Sequence, residues 1–378
     1  MDFEFTAEQQ LLRDTVTEFL AARYDLEKSR DAARIGAGNQ PEIWRGLAEE
    51  VGILGASLPE SVGGFDGGPI ETMLIAEALG GALVLEPFID TAVLGGGLLR
   101  RAGGDTAEEL LRGIVDGSVI TAFAALEAGS GYDLRRITTT ARRDGDDWVL
   151  DGTKTTVTSA PLATHLLVTA RTEQPGLSLF VVLADAAGLT RHSYRTIDER
   201  RAADLVLEGV RLPATALLGG EGAADDSLDR AVDEAIAAIA AESVGAMRRV
   251  LTETVEYSKQ RRQFGVPIGS FQVLQHRMVD MHLELEQATA AMYLVTLKLD
   301  AEPRERARAA AAAKVTVARA AAFIGQHAVQ LHGAMGMTEE LAIGHFFKRL
   351  TAVQYEWGSA DQHLTRYAAL TRPEGIAG

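Results

Sequence analysis

The chain has 378 residues, 47% hydrophobic and 24% charged, with 37 basic against 53 acidic side chains and a net charge of −16. That length supports two or three domains and a substantial core, while the acidic balance argues against a nucleic-acid or anionic-membrane partner. With no cysteine, disulfides, thiolate metal sites and cysteine nucleophiles are excluded. The start Met1-Asp2-Phe3-Glu4 lacks the basic and apolar regions of a signal peptide, and no run of about 18 apolar residues occurs, so a cytoplasmic chain without a membrane span is expected.

Thr6 with Gln9 reads as a capping box, followed by Leu12, Val16, Phe19 and Leu20 at helical spacing. Helical patterns continue over 44–51 and 70–79, broken by the glycine-rich loop 63–69, and two more helices are expected at 92–101 and 106–115. Near Ser118 the pattern changes. Asp144-Gly145 between 138–143 and 148–151 is a hairpin signal, and short β-rich runs follow at 155–158, 165–170, 177–183 and 205–207. A small β-barrel or sandwich ending near Gly219-Gly220 is expected. From Ser227 the chain is alanine-rich and helical; Val317, Ala321, Ile324, Ala328 and Leu331 recur at heptad-like spacing, as do Phe271, Leu274, Met278 and Met281. Small side chains let helices approach closely in a bundle. The pattern predicts an α+β multi-domain chain: an N-terminal helical domain (1–117), a middle β-barrel or sandwich (118–222) and a C-terminal four-helix bundle (223–378).

The stretch from Tyr257 to His276 carries the most chemistry. A tight Phe264-Gly265-Val266-Pro267-Ile268-Gly269 corner separates two helical patterns, and Pro267 is expected to stop the incoming one. Arg261, Arg262, Gln263 and Phe264 at that bend suit a diphosphate and a flat base; a solvated basic helix end is the plainer alternative. The run Arg-x-Gln-Phe-Gly-x-Pro-Ile-x-x-Phe-Gln-x-x-Gln-His resembles the acyl-CoA dehydrogenase signature. Gln330-Leu331-His332-Gly333-Ala334-Met335-Gly336 is similar to that family's second FAD-contacting block. The order of helical, β and helical regions matches too, so the resemblance extends over nearly the whole chain. Of the branches, the small subunit of pimeloyl-CoA dehydrogenase is the most similar.

The resemblance implies the acyl-CoA dehydrogenase fold and FAD as cofactor. The implied reaction takes the α-hydrogen of an acyl-CoA thioester as a proton and the β-hydrogen as a hydride to the flavin, which passes electrons to a separate acceptor. It implies that Arg261, Gln263, Phe264, Gln330 and Gly333 hold the adenosine-diphosphate half of a flavin shared with a neighbouring subunit. Thr158, and a contact at Ser359, would meet the cofactor as well. Other positions depart from the family pattern. In Phe123-Ala124-Ala125-Leu126-Glu127-Ala128-Gly129-Ser130-Gly131-Tyr132, Leu126 and Tyr132 replace the expected Thr and Ser, and Thr156 replaces a ring-shielding Trp. The usual catalytic Glu position falls on Trp357, next to Glu356. The alternative position on an earlier helix falls on Ala235, next to Glu234, and the arginine expected beside it falls on Ile236. Glu234 is the fallback base. The histidines show no metal-ligand spacing and read as structural. Three roles stay open: a base-lacking small subunit completing the FAD site of a homologous large subunit in a heterotetramer, a self-sufficient homotetramer, or a flavin-free assembly protein.

Overall fold

The computed structural model describes residues 5–36 and 38–372; the Met1–Glu4 start lies outside them. Helices come first. Ala7–Arg23 (α1) opens with the reciprocal Thr6–Gln9 capping box expected from sequence. Leu26–Ile35 (α2), Pro41–Glu49 (α3) and Pro69–Ala82 (α4) follow. The helix expected at 92–101 begins earlier, as a π-helical turn over Ile89–Gly95 that runs into Gly96–Ala102 (α5). Asp105–Val115 (α6) ends the helical run. Wide π-turns inside α-helices are frequent at functional sites, and this one carries Asp90.

The chain forms two compact units. The first comprises 27–72 and 85–235 and contains the two four-stranded sheets. Thr121–Ala124 (β1), Thr140–Asp144 (β2), Asp147–Thr158 (β3), His165–Ala170 (β4), Ser178–Leu183 (β5), Leu189–Arg195 (β6), Arg201–Leu212 (β7) and Leu217–Leu218 (β8) make two sheets, ordered β1-β4-β5-β8 and β2-β3-β7-β6. Alternating inward residues of both sheets, among them Leu150, Leu166, Phe180 and Leu205, build one buried core, with Trp148 edge-on to Phe180 at 5.2 Å. This is a sandwich. The Asp144-Gly145 hairpin forms in register. The expected runs at 155–158 and 205–207 are pieces of the long strands β3 and β7. The runs at 121–124 and 189–195 escape a pattern reading because one is wholly buried and the other almost wholly exposed, so neither alternates.

The second unit comprises 1–26, 73–84 and 236–378. Its frame is Asp225–Gln260 (α7, which starts in the first unit), Gln272–Leu297 (α8), Pro303–His332 (α9), Ala342–Ala352 (α10) and Ala360–Thr371 (α11). Helix α9 packs against α8, α10 and α11. Its heptad-spaced Val317, Ala321, Ile324, Ala328 and Leu331 are all buried, whereas on α8 only Met281 of the matching set is. Among the described residues no helix is long and apolar enough to cross a membrane.

Candidate functional site

Helix α7 does not run to Pro267. It ends at Gln260, and Arg262–Gln263 (β9) pairs antiparallel with Val266–Pro267 (β10) in a miniature hairpin. Phe264 and Gly265 form its two-residue turn with φ of 54° and 83°, the double positive φ of a type I′ turn. Glycine takes that conformation freely, but for phenylalanine it costs roughly 1–2 kcal/mol. Phe264 is 90% exposed, its ring edge-on to Phe271 at 6.2 Å. A strained backbone thus presents an apolar ring to solvent with little gain inside the unit. Arg261 and Gln263 are exposed on the same hairpin. Tyr257, one turn before Arg261, stacks on His332 at 4.3 Å and reaches its carbonyl at 3.5 Å. That contact brings the hairpin beside the end of α9, where Gln330 and Gly333 are also exposed. At Gly333 φ is 64° and nothing lies within 4 Å of where a Cβ would stand, so its backbone is open to a ligand. Five of the sequence-predicted residues therefore share one exposed edge.

In the same unit, Trp357 occupies the position expected for the catalytic Glu, with φ of 53°. The turn that carries it is clamped from several sides. Arg349, 2% exposed, holds Glu242 through Nη2 at 2.6 Å and holds Glu356 through both terminal nitrogens. Lys314 donates to the Val353 carbonyl, and burial pushes its amine down to about 8. His363 donates from Nε2 to the Trp357 carbonyl at 2.8 Å; burial pushes its ring down to about 4, so it is neutral. Glu356 is thus bound to a guanidinium rather than available to a substrate. Ser359 is the N-cap of α11, accepting from the Gln362 N–H in a capping box; this local role accounts for it without a cofactor.

In the strand-bearing unit, Glu127 and Lys154 form a buried ion pair at 2.9 Å. Glu127 also accepts from the N–H and hydroxyl of both Thr138 and Thr139. Burial alone would raise its carboxyl, but these donors and Lys154 together hold it at about 2; burial pushes Lys154 down to about 8, so both are charged at neutral pH. This pair ties the 126–132 loop to β3. Glu127 lies in the 123–132 run quoted from the sequence and Lys154 one residue before the β-rich run at 155–158, yet sequence reasoning misses their pairing. A lone charged residue in each of two β-rich runs is the available signal. Thr158 donates to Asp90 Oδ1 at 3.0 Å, and Ser159 donates to Oδ2 of the same carboxylate. Thr156 sits in a β-bulge with φ of 53°, its N–H on Asp204 at 2.8 Å.

Glu234, the fallback base, has both carboxylate oxygens on Arg101 Nη1, at 3.0 and 2.9 Å, and one on Arg230 at 3.0 Å, with Arg100 at 3.9 Å. A carboxylate held on both oxygens by guanidinium groups is poorly placed to approach carbon. This engagement counts against the expectation that Glu234 removes a proton. Among the described residues no cluster of His, Asp or Glu is placed to hold a metal.

The residues fit the two ends of a flavin dinucleotide unequally. At the nucleotide end, an open glycine backbone, an exposed guanidinium and an unburied aromatic ring are the right kinds of partner. At the ring end, the Thr158 and Ser159 hydroxyl protons are already given to Asp90.

Family models of the acyl-CoA dehydrogenase N-terminal, middle and C-terminal domains match residues 6–118, 122–210 and 229–369. The chain is 34% identical over 346 residues to acyl-CoA dehydrogenase FadE12 of Mycobacterium tuberculosis, covering 89% of this chain and 88% of that relative. Among solved structures it is similar to a variant of the Tcur3481-Tcur3483 steroid ACAD, at 30% identity and a TM-score of 0.87, covering 96% and 97% of the two chains. It is also similar to the ChsE4-ChsE5 complex from Mycobacterium tuberculosis, at 27% identity and a TM-score of 0.89, covering 99% and 100%.

Proposed function

The chain belongs to the acyl-CoA dehydrogenase family of FAD-dependent oxidoreductases, and from that membership we propose that it is the base-lacking subunit of a heteromeric dehydrogenase. One observation carries the reading: both carboxylates that stand next to a base position are committed to arginines, Glu234 to Arg101 and Arg230, Glu356 to Arg349, while Trp357 fills the usual position itself. The Phe264 hairpin supports a partner, because a strained turn holds an exposed apolar ring where a second surface could bury it. Two of the similar solved structures carry two-component names, ChsE4-ChsE5 and Tcur3481-Tcur3483, consistent with such an assembly.

In this reading Arg261 binds the pyrophosphate of an FAD whose ring a homologous large subunit holds. Gln263 and Phe264 cover its adenine side, and Gln330 with Gly333 offers backbone polar groups. The bound flavin would supply the hydride acceptor, and the large subunit the base. The role of this chain is to hold and to exclude water. The substrate is an acyl-CoA thioester, and an electron-transfer protein takes the electrons onward. A small-subunit role agrees with the resemblance to the pimeloyl-CoA dehydrogenase branch.

The visible spectrum of the purified chain tests this. The proposal expects a colourless protein alone and a yellow, active complex after co-expression with a large homologue. A chain that is yellow and active alone overturns it in favour of a homotetramer, and one that stays colourless with every homologue overturns it in favour of a flavin-free assembly protein.

A further inference from the structure

The last turn of α5 carries Arg100 and Arg101, and both reach toward α7 within the strand-bearing unit. Arg101 is pinned there. It donates through Nη1 to the two Glu234 oxygens at 3.0 and 2.9 Å, through Nε to the Ser227 hydroxyl at 3.1 Å and through Nη2 to the Ser227 carbonyl at 3.4 Å. Gly97, one turn earlier, leaves the room for this: a Cβ there would stand 2.6 Å from Glu234 Oε2 and 3.1 and 3.2 Å from the terminal nitrogens of Arg101. Arg100 and Arg230 approach the same carboxylate, at 3.9 and 3.0 Å, so three guanidinium groups crowd around one glutamate. Asp225 and Asp229, which flank Ser227 on α7, are engaged by Arg135 instead, at 3.2 and 2.7 Å.

Arg100 is the loosest of the three. Among the described residues its contacts are the Ser57 carbonyl at 3.4 Å and Glu234 at 3.9 Å, and 39% of its side chain is exposed. A guanidinium carries five N–H donors, so most of those of Arg100 are open to a ligand from solvent. We propose that Arg100 and Arg101 form a half-exposed site for a phosphate group. Guanidinium forks pair with phosphate oxygens two at a time, and a phosphate brings about two negative charges where a carboxylate brings one. Burial pushes the Arg101 guanidinium down against the pull of Glu234, and the like charges of Arg100 and Arg230 add to that push, so a second anion beside them is favoured. In a chain of net charge −16, a cationic cluster of this kind is where an anion gathers. Free inorganic phosphate and the phosphate monoester of a larger ligand offer the same chemistry. The site is separate from the flavin edge in the helical unit and does not depend on which subunit holds the flavin ring.

Calorimetric titration of the full chain at fixed ionic strength tests the site, with inorganic phosphate, glycerol phosphate and acetate as probes. The expected result is phosphate binding with a Kd below about 1 mM and roughly tenfold or more tighter than acetate. Arg100→Gln should weaken it by about tenfold to hundredfold, the range of one charge-assisted hydrogen bond; the half-exposed position of Arg100 lets that variant fold. Glu234→Gln should tighten phosphate binding, because it removes the competing carboxylate and releases the Arg101 donors to the anion. A stronger response to glycerol phosphate than to inorganic phosphate supports the site and assigns it to a phosphate monoester, and the reverse order supports it and assigns it to the free ion. Phosphate bound no more tightly than acetate, or with the same affinity in Arg100→Gln, overturns the proposal and leaves the cluster as internal ion pairs.

Discussion

Replacing Lys154 by methionine tests whether the Glu127–Lys154 pair holds the 126–132 loop to the sandwich. The substitution keeps most of the side-chain volume and removes the charge. Breaking a buried pair from one side costs roughly 3–5 kcal/mol, because the remaining ion is left uncompensated. Here Glu127 keeps four donors from Thr138 and Thr139, which sets the cost near the lower end. The carboxyl sets an upper bound: against burial, the Thr139 and Thr138 donors together with Lys154 hold it at about 2 rather than the ordinary 4.5, which corresponds to about 3 kcal/mol for all of them. Because the folded value is the lower one, that stabilisation is complete above pH 4.5 and disappears as the pH falls toward 2. Lys154→Met should therefore lower stability at pH 7 by about 3 kcal/mol, or roughly 6–12 °C in the midpoint of this unit. Urea unfolding followed by tryptophan fluorescence measures it, since Trp148 lies in the core that the pair borders. Adding Glu127→Gln should recover part of the loss, because the stranded charge goes with it. A single mutant within about 0.5 kcal/mol of wild type would refute the argument that the pair is charged and structural.

Arg349→Met should cost roughly 3–5 kcal/mol by stranding Glu242 and freeing the Trp357 turn, and a wild-type indole emission spectrum in that variant would contradict the clamp. Arg349→Lys should not restore it, since one ammonium cannot serve two carboxylates in the guanidinium's planar geometry. The Glu86 carboxyl, raised from 4.5 to about 7 by burial, favours folding while protonated; its contribution is present below pH 4.5 and is lost as the pH rises through 7, by about 3 kcal/mol. Glu86→Gln should flatten that decline, and urea midpoints at pH 5 and pH 8 that fall equally in both proteins would refute the assignment. Arg261→Ala should lower the FAD content of the co-expressed complex, and an unchanged flavin-to-protein ratio would displace the pyrophosphate from this hairpin. Glu234→Gln should leave turnover of that complex within a fewfold of wild type, whereas a collapse would make Glu234 the base.

The sequence is legible where one local rule decides the outcome. The Thr6–Gln9 cap, the Asp144-Gly145 hairpin and the buried stripe of α9 each follow from a spacing that nothing distant overrides. The Arg261–Phe264 and Gln330–Gly333 blocks can be read as motifs, but their adjacency cannot. It depends on Tyr257 meeting His332 across 75 positions of chain. The stop at Gln260 is hidden from a sequence reading, in which Pro267 is sufficient to end the helix. A type I′ turn ends it earlier, and its unusual feature is a phenylalanine where sequence preference calls for Asn or Asp.

What the sequence hides is the use of charge. Counting along the motif puts Trp357 and Ala235 where the resemblance expects a base; it cannot show that the neighbouring carboxylates are already bound to arginines. An arginine left beside an absent glutamate would be a buried unpaired cation, and Ile236 avoids that at one base position. Near the other, Arg349 pairs with Glu242 and Glu356. Glu234 and Glu356 are both held in ion pairs with arginines. The proposed lack of a base is therefore matched by ion pairs that Glu234 on α7 and Arg349 on α10 make.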